Sequence, residues 1–130
     1  MIQYMLDTDI SSYIMKGQAG VVEESEKRRG SWCISAIVYQ ELVAGLIGSK
    51  GTRLEPAYEH FLRFVDVLPF SMSDALVAAE VSVSLRKNGI NIGHRDEQIA
   101  GHAMSAGLTL VTNNFKHFKP IAGLSSESWA

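Results

Sequence analysis

Asp7, Glu41 and Asp96 are carboxylates in places where the surrounding apolar pattern gives no reason for a charge. Between Met1 and Met15 the only charged residues are Asp7 and Asp9, and Asp7 follows directly on the apolar run Ile2–Leu6. Between Ser35 and Ser49 the only charged residue is Glu41. Helical spacing sets it on one face with Ile37, Val38, Ala44 and Gly45, so it reads as buried and in need of a partner. Asp96 borders a stretch, Gln98–Asn114, that carries no formal charge and ends in the polar tip Thr112-Asn113-Asn114. Carboxylates brought close together repel one another unless a cation lies between them. Oxygen ligands with room for water suit Mg²⁺ or Mn²⁺. A site of that kind would hold and polarise a phosphodiester and activate water for in-line attack. Each residue also has a structural alternative. Asp7, Asp9 and Asp96 could cap helices, with Asp9 placed nearer a helix start than Asp7. Glu41 could pair with an arginine, and the Thr-Asn-Asn tip could be plain turn chemistry.

The elements that must bring these residues together follow from periodicity and caps. Ile2–Leu6 predicts a buried strand, followed by helices over Asp9–Lys16 and Val21–Arg29. Trp32–Ile34 predicts a second strand, with Ser35 capping a helix to about Ile47. Glu55–Phe64 predicts a helix and Val65–Phe70 a strand. Ser71 or Ser73 then caps a helix that runs to Lys87 and stops at Asn88-Gly89. Asp96–Ala106 predicts a helix closed by Gly107, and Leu108–Thr112 the last clear strand. The remainder reads as loop, with a short strand near Ile121–Leu124. Strands that alternate with helices imply a three-layer α/β/α domain around a short, mainly parallel sheet. Ligands of such sheets bind beyond the C-terminal strand ends, where Asp7 and Thr112 fall.

Composition sets the outer bounds. The 130 residues make one domain, 1–130, large enough for a core without disulfides. Fourteen acids against twelve bases leave a net charge of −2, which excludes a protein that coats nucleic acid by bulk charge. The lone Cys33 can form neither an internal disulfide nor a thiolate metal site, which implies a reducing, cytoplasmic home. No apolar run approaches membrane-helix length, and no basic segment precedes an apolar one as in a secretory signal.

Four segments taken together resemble a known family. Met5-Leu6-Asp7-Thr8-Asp9, Ser35-Ala36-Ile37-Val38-Tyr39-Gln40-Glu41-Leu42, Asp96 through Ala103 and Leu110-Val111-Thr112-Asn113-Asn114 are similar to the motifs of PIN-domain ribonucleases, in particular VapC-type toxins of toxin–antitoxin pairs. The resemblance spans essentially the whole chain, including Trp129. It implies an Mg²⁺- or Mn²⁺-dependent endoribonuclease acting on structured RNA such as tRNA. Asp7, Glu41 and Asp96 match its metal-holding acids, Thr8 and Thr112 its supporting hydroxyls, and Asn114 a polar position at the edge of the metal site. It further implies a homodimer and silencing by a VapB-type antitoxin. Two departures stand out. His117 takes a place where the family commonly has an acid, and Asp9 replaces the asparagine of many relatives. Asp9 would then restore on one side the negative charge lost on the other.

Other motifs carry less. His94 and His102 lie eight apart and do not form a zinc pair. Gly48–Thr52 lacks the order of a phosphate loop and follows a helix, and no serine sits in a nucleophile elbow. Lys27, Arg28 and Arg29 are the one basic triplet; with Lys50, Arg53, Lys116 and Lys119 they could guide a phosphate backbone. Two rival readings remain: a catalytically degenerate module that only binds RNA or antitoxin, and a metal-dependent phosphatase on a similar sheet.

Overall fold

The computed structural model describes residues 1–130. In chain order the elements are β1 (Tyr4–Leu6), α1 (Thr8–Met15), α2 (Ala19–Lys27), β2 (Trp32–Ser35), α3 (Ala36–Gly48), α4 (Glu55–Phe64), β3 (Val67–Leu68), α5 (Met72–Lys87), α6 (His94–Ala106), β4 (Thr109–Val111), α7 (Phe115–Phe118) and β5 (Ser126–Glu127). The strands form one sheet in the order β3-β2-β1-β4-β5, and every pairing is parallel. The chain reverses direction across the sheet after β3; α1 touches α2, α3 and α4, and α5 packs along α6, as right-handed crossovers on the two faces require. Met5, Leu6, Cys33, Ile34, Leu110 and Val111 are wholly buried, as strands covered on both faces require.

Register decides where the functional end lies. Leu6 pairs with Ile34 on one side and with Val111 on the other. The next residues, Asp7, Ser35 and Thr112, therefore emerge together at one sheet edge. Strand order reverses between β1 and β4, so this edge is also the topological switch point where open α/β sheets bind ligands.

Several boundaries differ from the sequence reading. Asp7, not Asp9, caps α1, since its carboxylate accepts the Ile10 N–H. Asp96 does not open α6; that helix starts at His94 after Gly93, whose φ of 95° suits glycine. The strand expected over Val65–Phe70 shrinks to Val67–Leu68, because Val65 still closes α4 through its N–H and Pro69 has none to donate. The last strand lies at Ser126–Glu127 and not at Ile121–Leu124, because Ile121 turns into the core before Gly123 reverses the chain. The short α7 stands where the sequence predicts loop, and the burial of Phe118 holds it in place.

Helix ends that follow local chemistry agree with expectation. Ser35 caps α3, Ser71 and Asp74 form a reciprocal capping box on α5, and Gly107 closes α6 in the left-handed conformation. The α5–α6 crossing is close enough to dictate a glycine: a Cβ on Gly101 would lie 2.4 Å from the Ala78 Cα and 2.6 Å from its nitrogen.

Candidate active site

Asp7 is the residue most firmly built into the switch point. Its N–H donates to the Val111 carbonyl (3.1 Å), tying the end of β1 to β4. Its Oδ1 accepts the Ile10 N–H at 2.9 Å, which places the negative charge at the N-terminus of α1. The residue is 7% exposed. Burial pushes its carboxyl up to about 6, against the pull of Thr112 and of the Ile10 N–H, and the nearby charges of Asp9 and Asp96 push the same way. Thr112 lies beneath it, wholly buried, with its hydroxyl accepting the Asn114 N–H at 2.9 Å.

Glu41 is half-buried rather than buried, with its side chain 20% exposed. A helical wheel of α3 cannot show that this face opens into a cleft. Its Oε1 accepts the Thr8 hydroxyl at 2.7 Å, and its Oε2 accepts from the Arg95 guanidinium at 2.8 Å. The arginine partner considered from sequence is therefore present, and it is Arg95. Asp96, in the first turn of α6, pairs through Oδ2 with His117 Nδ1 at 3.1 Å. His117 is partially exposed and faces one of the site acids.

One cleft of about 480 Å³ collects Asp7, Thr8, Asp9, Glu41, Asp96 and Asn114, together with Arg95. The residues singled out from sequence all come to this cleft, except that Thr112 supports it from below. They line it as separate walls: no three His, Cys, Asp or Glu side chains converge into a metal cage. The donor set is carboxylate, hydroxyl and amide oxygen, the chemistry of a hard divalent cation. At Asp7 a cation would relieve burial and like-charge repulsion together.

The basic triplet that could guide phosphate does not line the cleft and lies along α2 as a solvated helix end. Lys27, Arg28 and Arg29 pair with Glu23, Glu24 and Glu26 of α2 itself. Arg28 also lies over the rings of Tyr4 and Trp129, joining the first strand to the C-terminal tail.

A buried hydrogen-bond network that no local pattern announces links the elements behind the cleft. His102 of α6 is 2% exposed. Its Nδ1 meets the Ser35 hydroxyl at 2.8 Å, and its Nε2 lies 3.4 Å from the Asp74 carboxylate. Ser35 Oγ already accepts the Ile37 N–H, so its proton is free for Nδ1, which leaves the Nε2 proton facing Asp74. Burial holds the His102 imidazole below its ordinary value, opposed by Asp74. Unfolding restores the ordinary affinity for a proton, so this group removes stability as pH falls through the usual histidine range. Replacing His102 by Leu leaves Ser35 and Asp74 short of a partner and is expected to cost about 2–4 kcal/mol. Urea denaturation at pH 7.5 measures it, and a loss below ~0.5 kcal/mol would show the network to be dispensable.

The PIN domain family profile matches residues 4–124 of the chain. The tRNA(fMet)-specific endonuclease VapC of Shigella flexneri is 35% identical, with all of both chains covered. Ribonuclease VapC2 of Haemophilus influenzae is 34% identical over 99% of each chain. Among solved structures, VapBC2 from Rickettsia felis bound to a DNA fragment of its promoter superposes with a TM-score of 0.89 at 34% identity, covering both chains completely. DNA-bound VapBC from Salmonella typhimurium gives 0.87 at 30% identity, also with both chains covered. The chain belongs to the PIN-domain family, in its VapC ribonuclease branch.

Proposed function

We propose that this chain is the toxin of a type II toxin–antitoxin pair and that it cleaves RNA of the tRNA class at the Asp7–Glu41–Asp96 cleft with Mg²⁺ or Mn²⁺. The observation that carries the reading is that oxygen-bearing residues from the ends of β1 and β4 and from α1, α3 and α6 line one cleft at the switch point. The match to a tRNA-specific relative over its full length supports the substrate class. Solved VapBC complexes support a VapB-type antitoxin as partner. A homodimer is the expected assembly.

Asp7, Glu41 and Asp96 would hold the metal, with Thr8, Asp9, Thr112 and Asn114 in support. The metal, when bound, supplies charge to polarise the phosphodiester and to ease ionisation of an attacking water. The chain's own residues do the positioning. Thr8 fixes one oxygen of Glu41, and Thr112 steers Asp7 while the Asn114 N–H holds the threonine. His117 orients Asp96. Asp9 and Asn114 line the open part of the cleft. No helix is long and apolar enough to cross a membrane.

Purified protein incubated with total RNA and Mg²⁺ should release tRNA fragments whose new ends map to a single position. EDTA should stop the reaction, and the antitoxin encoded beside the toxin should block it. RNA that stays intact with either metal, while Mn²⁺ binding is weak, would favour the degenerate module instead.

A further inference from the structure

Arg95 is the one permanent positive charge that lines the acidic cleft. It also borders a second depression between α3 and α6, with Gln40, Ala44 and Gln98. Its side chain is 63% exposed, and its guanidinium bonds one oxygen of Glu41. The other oxygen of Glu41 is held independently by Thr8, so this carboxylate keeps an orienting contact when Arg95 leaves. An ion pair so open to water is weak and exchanges readily. A guanidinium binds phosphate oxygens with two parallel hydrogen bonds, a geometry that a free ammonium lacks. Aside from Arg95, the ring of His94 lies on the rim, exposed and facing Glu97 at 3.5 Å. The basic triplet of α2 does not line this cleft and pairs with acids of its own helix.

We propose that Arg95 is the phosphate-binding residue of the cleft and that it changes partner, resting on Glu41 without RNA and moving to a backbone phosphate when RNA enters. The inference rests on the RNA-cleaving reading above. It has a consequence that a static ion pair lacks. Arg95 and a divalent cation compete for Glu41, whereas RNA draws Arg95 away. RNA binding and metal binding should therefore reinforce each other.

The test uses Arg95→Gln and Arg95→Lys in the full chain, with thermal melting to verify that both fold. A labelled tRNA transcript is titrated by anisotropy in EDTA across a salt series. Arg95→Gln should bind about tenfold more weakly, with a salt dependence shallower by about one phosphate contact. Arg95→Lys should recover the salt dependence and only part of the affinity. Calorimetric titration with Mn²⁺ alone should move the other way, tightening about threefold in Arg95→Gln because Glu41 has lost a competing cation. In cleavage assays the defect should fall mainly on KM. RNA affinity and salt dependence equal to wild type in Arg95→Gln would overturn the proposal, as would weaker Mn²⁺ binding. Wild type that binds the transcript without cleaving it would defeat the nuclease reading while the anisotropy still decided the role of Arg95.

Discussion

Asp7→Asn should abolish RNA cleavage and at the same time stabilise the metal-free protein at neutral pH. The two effects share one cause. Asp7 is buried at the switch point with Asp9 and Asp96 nearby, and its carboxyl is pushed from 3.8 up to about 6. The folded chain thus holds this proton more tightly than the unfolded chain does. Stability is lost as pH rises from 3.8 towards 6, and the penalty is constant above that. The gap corresponds to on the order of 3 kcal/mol at pH 8. Asparagine has nearly the same shape, and its Oδ1 can still accept the Ile10 N–H that caps α1, so the variant removes the charge while retaining the cap. Urea melts in EDTA should show Asp7→Asn well above wild type at pH 8, with the difference fading near pH 4. Cleavage should drop at least about 100-fold, the scale of losing one electrostatic element of a reacting site. A variant less stable than wild type at pH 8 would mean that the charge supports the fold and not the site.

Gly101→Ala is expected to cost about 3 kcal/mol or more, and Gly101→Val to prevent folding altogether. In an exposed helix the same change to alanine would gain about 1 kcal/mol from propensity. Here the added carbon would strike backbone atoms of Ala78, 2.4 and 2.6 Å away, and backbone cannot swing aside as a side chain can. The α5–α6 pair would have to separate. Since α6 carries Arg95, Asp96 and His102, a shift also displaces one wall of the cleft. Truncating Ala78 to Gly in the Gly101→Ala background should recover little, because the Cα and nitrogen contacts remain. Equal melting temperatures for Gly101→Ala and wild type would contradict so close a crossing.

Much of this molecule was legible in its sequence, for identifiable reasons. Ser35 and Gly107 fix helix ends through chemistry confined to a few residues and stand where the sequence places them, and of the two serines offered for α5 it is Ser71 that caps. Asp7, Glu41 and Asp96 stood out because a charge in an apolar stretch demands an explanation wherever the chain goes. Their arrival at one cleft follows from the alternation of strands and helices. Other features depend on tertiary placement. Both Asp7 and Asp9 suit a helix start, and only the depth of β1 decides that Asp7 caps α1. The bond between Arg95 and Glu41 joins residues 54 positions apart, beyond any local pattern. An α3 that is apolar nearly all round predicts a buried Glu41, yet one side of that helix borders an opening. The sequence predicts the final strand at 121–124 and not at Ser126–Glu127, because those two residues pair with β4 through backbone hydrogen bonds and bring no apolar signal.

Metal add-back to stripped protein decides whether the three-acid cleft cleaves RNA only with a divalent cation. Wild type, Asp7→Asn and Asp96→Asn would be freed of metal with EDTA, dialysed, and assayed on a tRNA transcript in single turnover as Mg²⁺ or Mn²⁺ is returned. The expected result is no cleavage by any of the three before addition, saturable recovery in wild type alone, and folded but inactive variants throughout. Cleavage by the stripped wild type, or recovery in either variant to the wild-type rate, would contradict it.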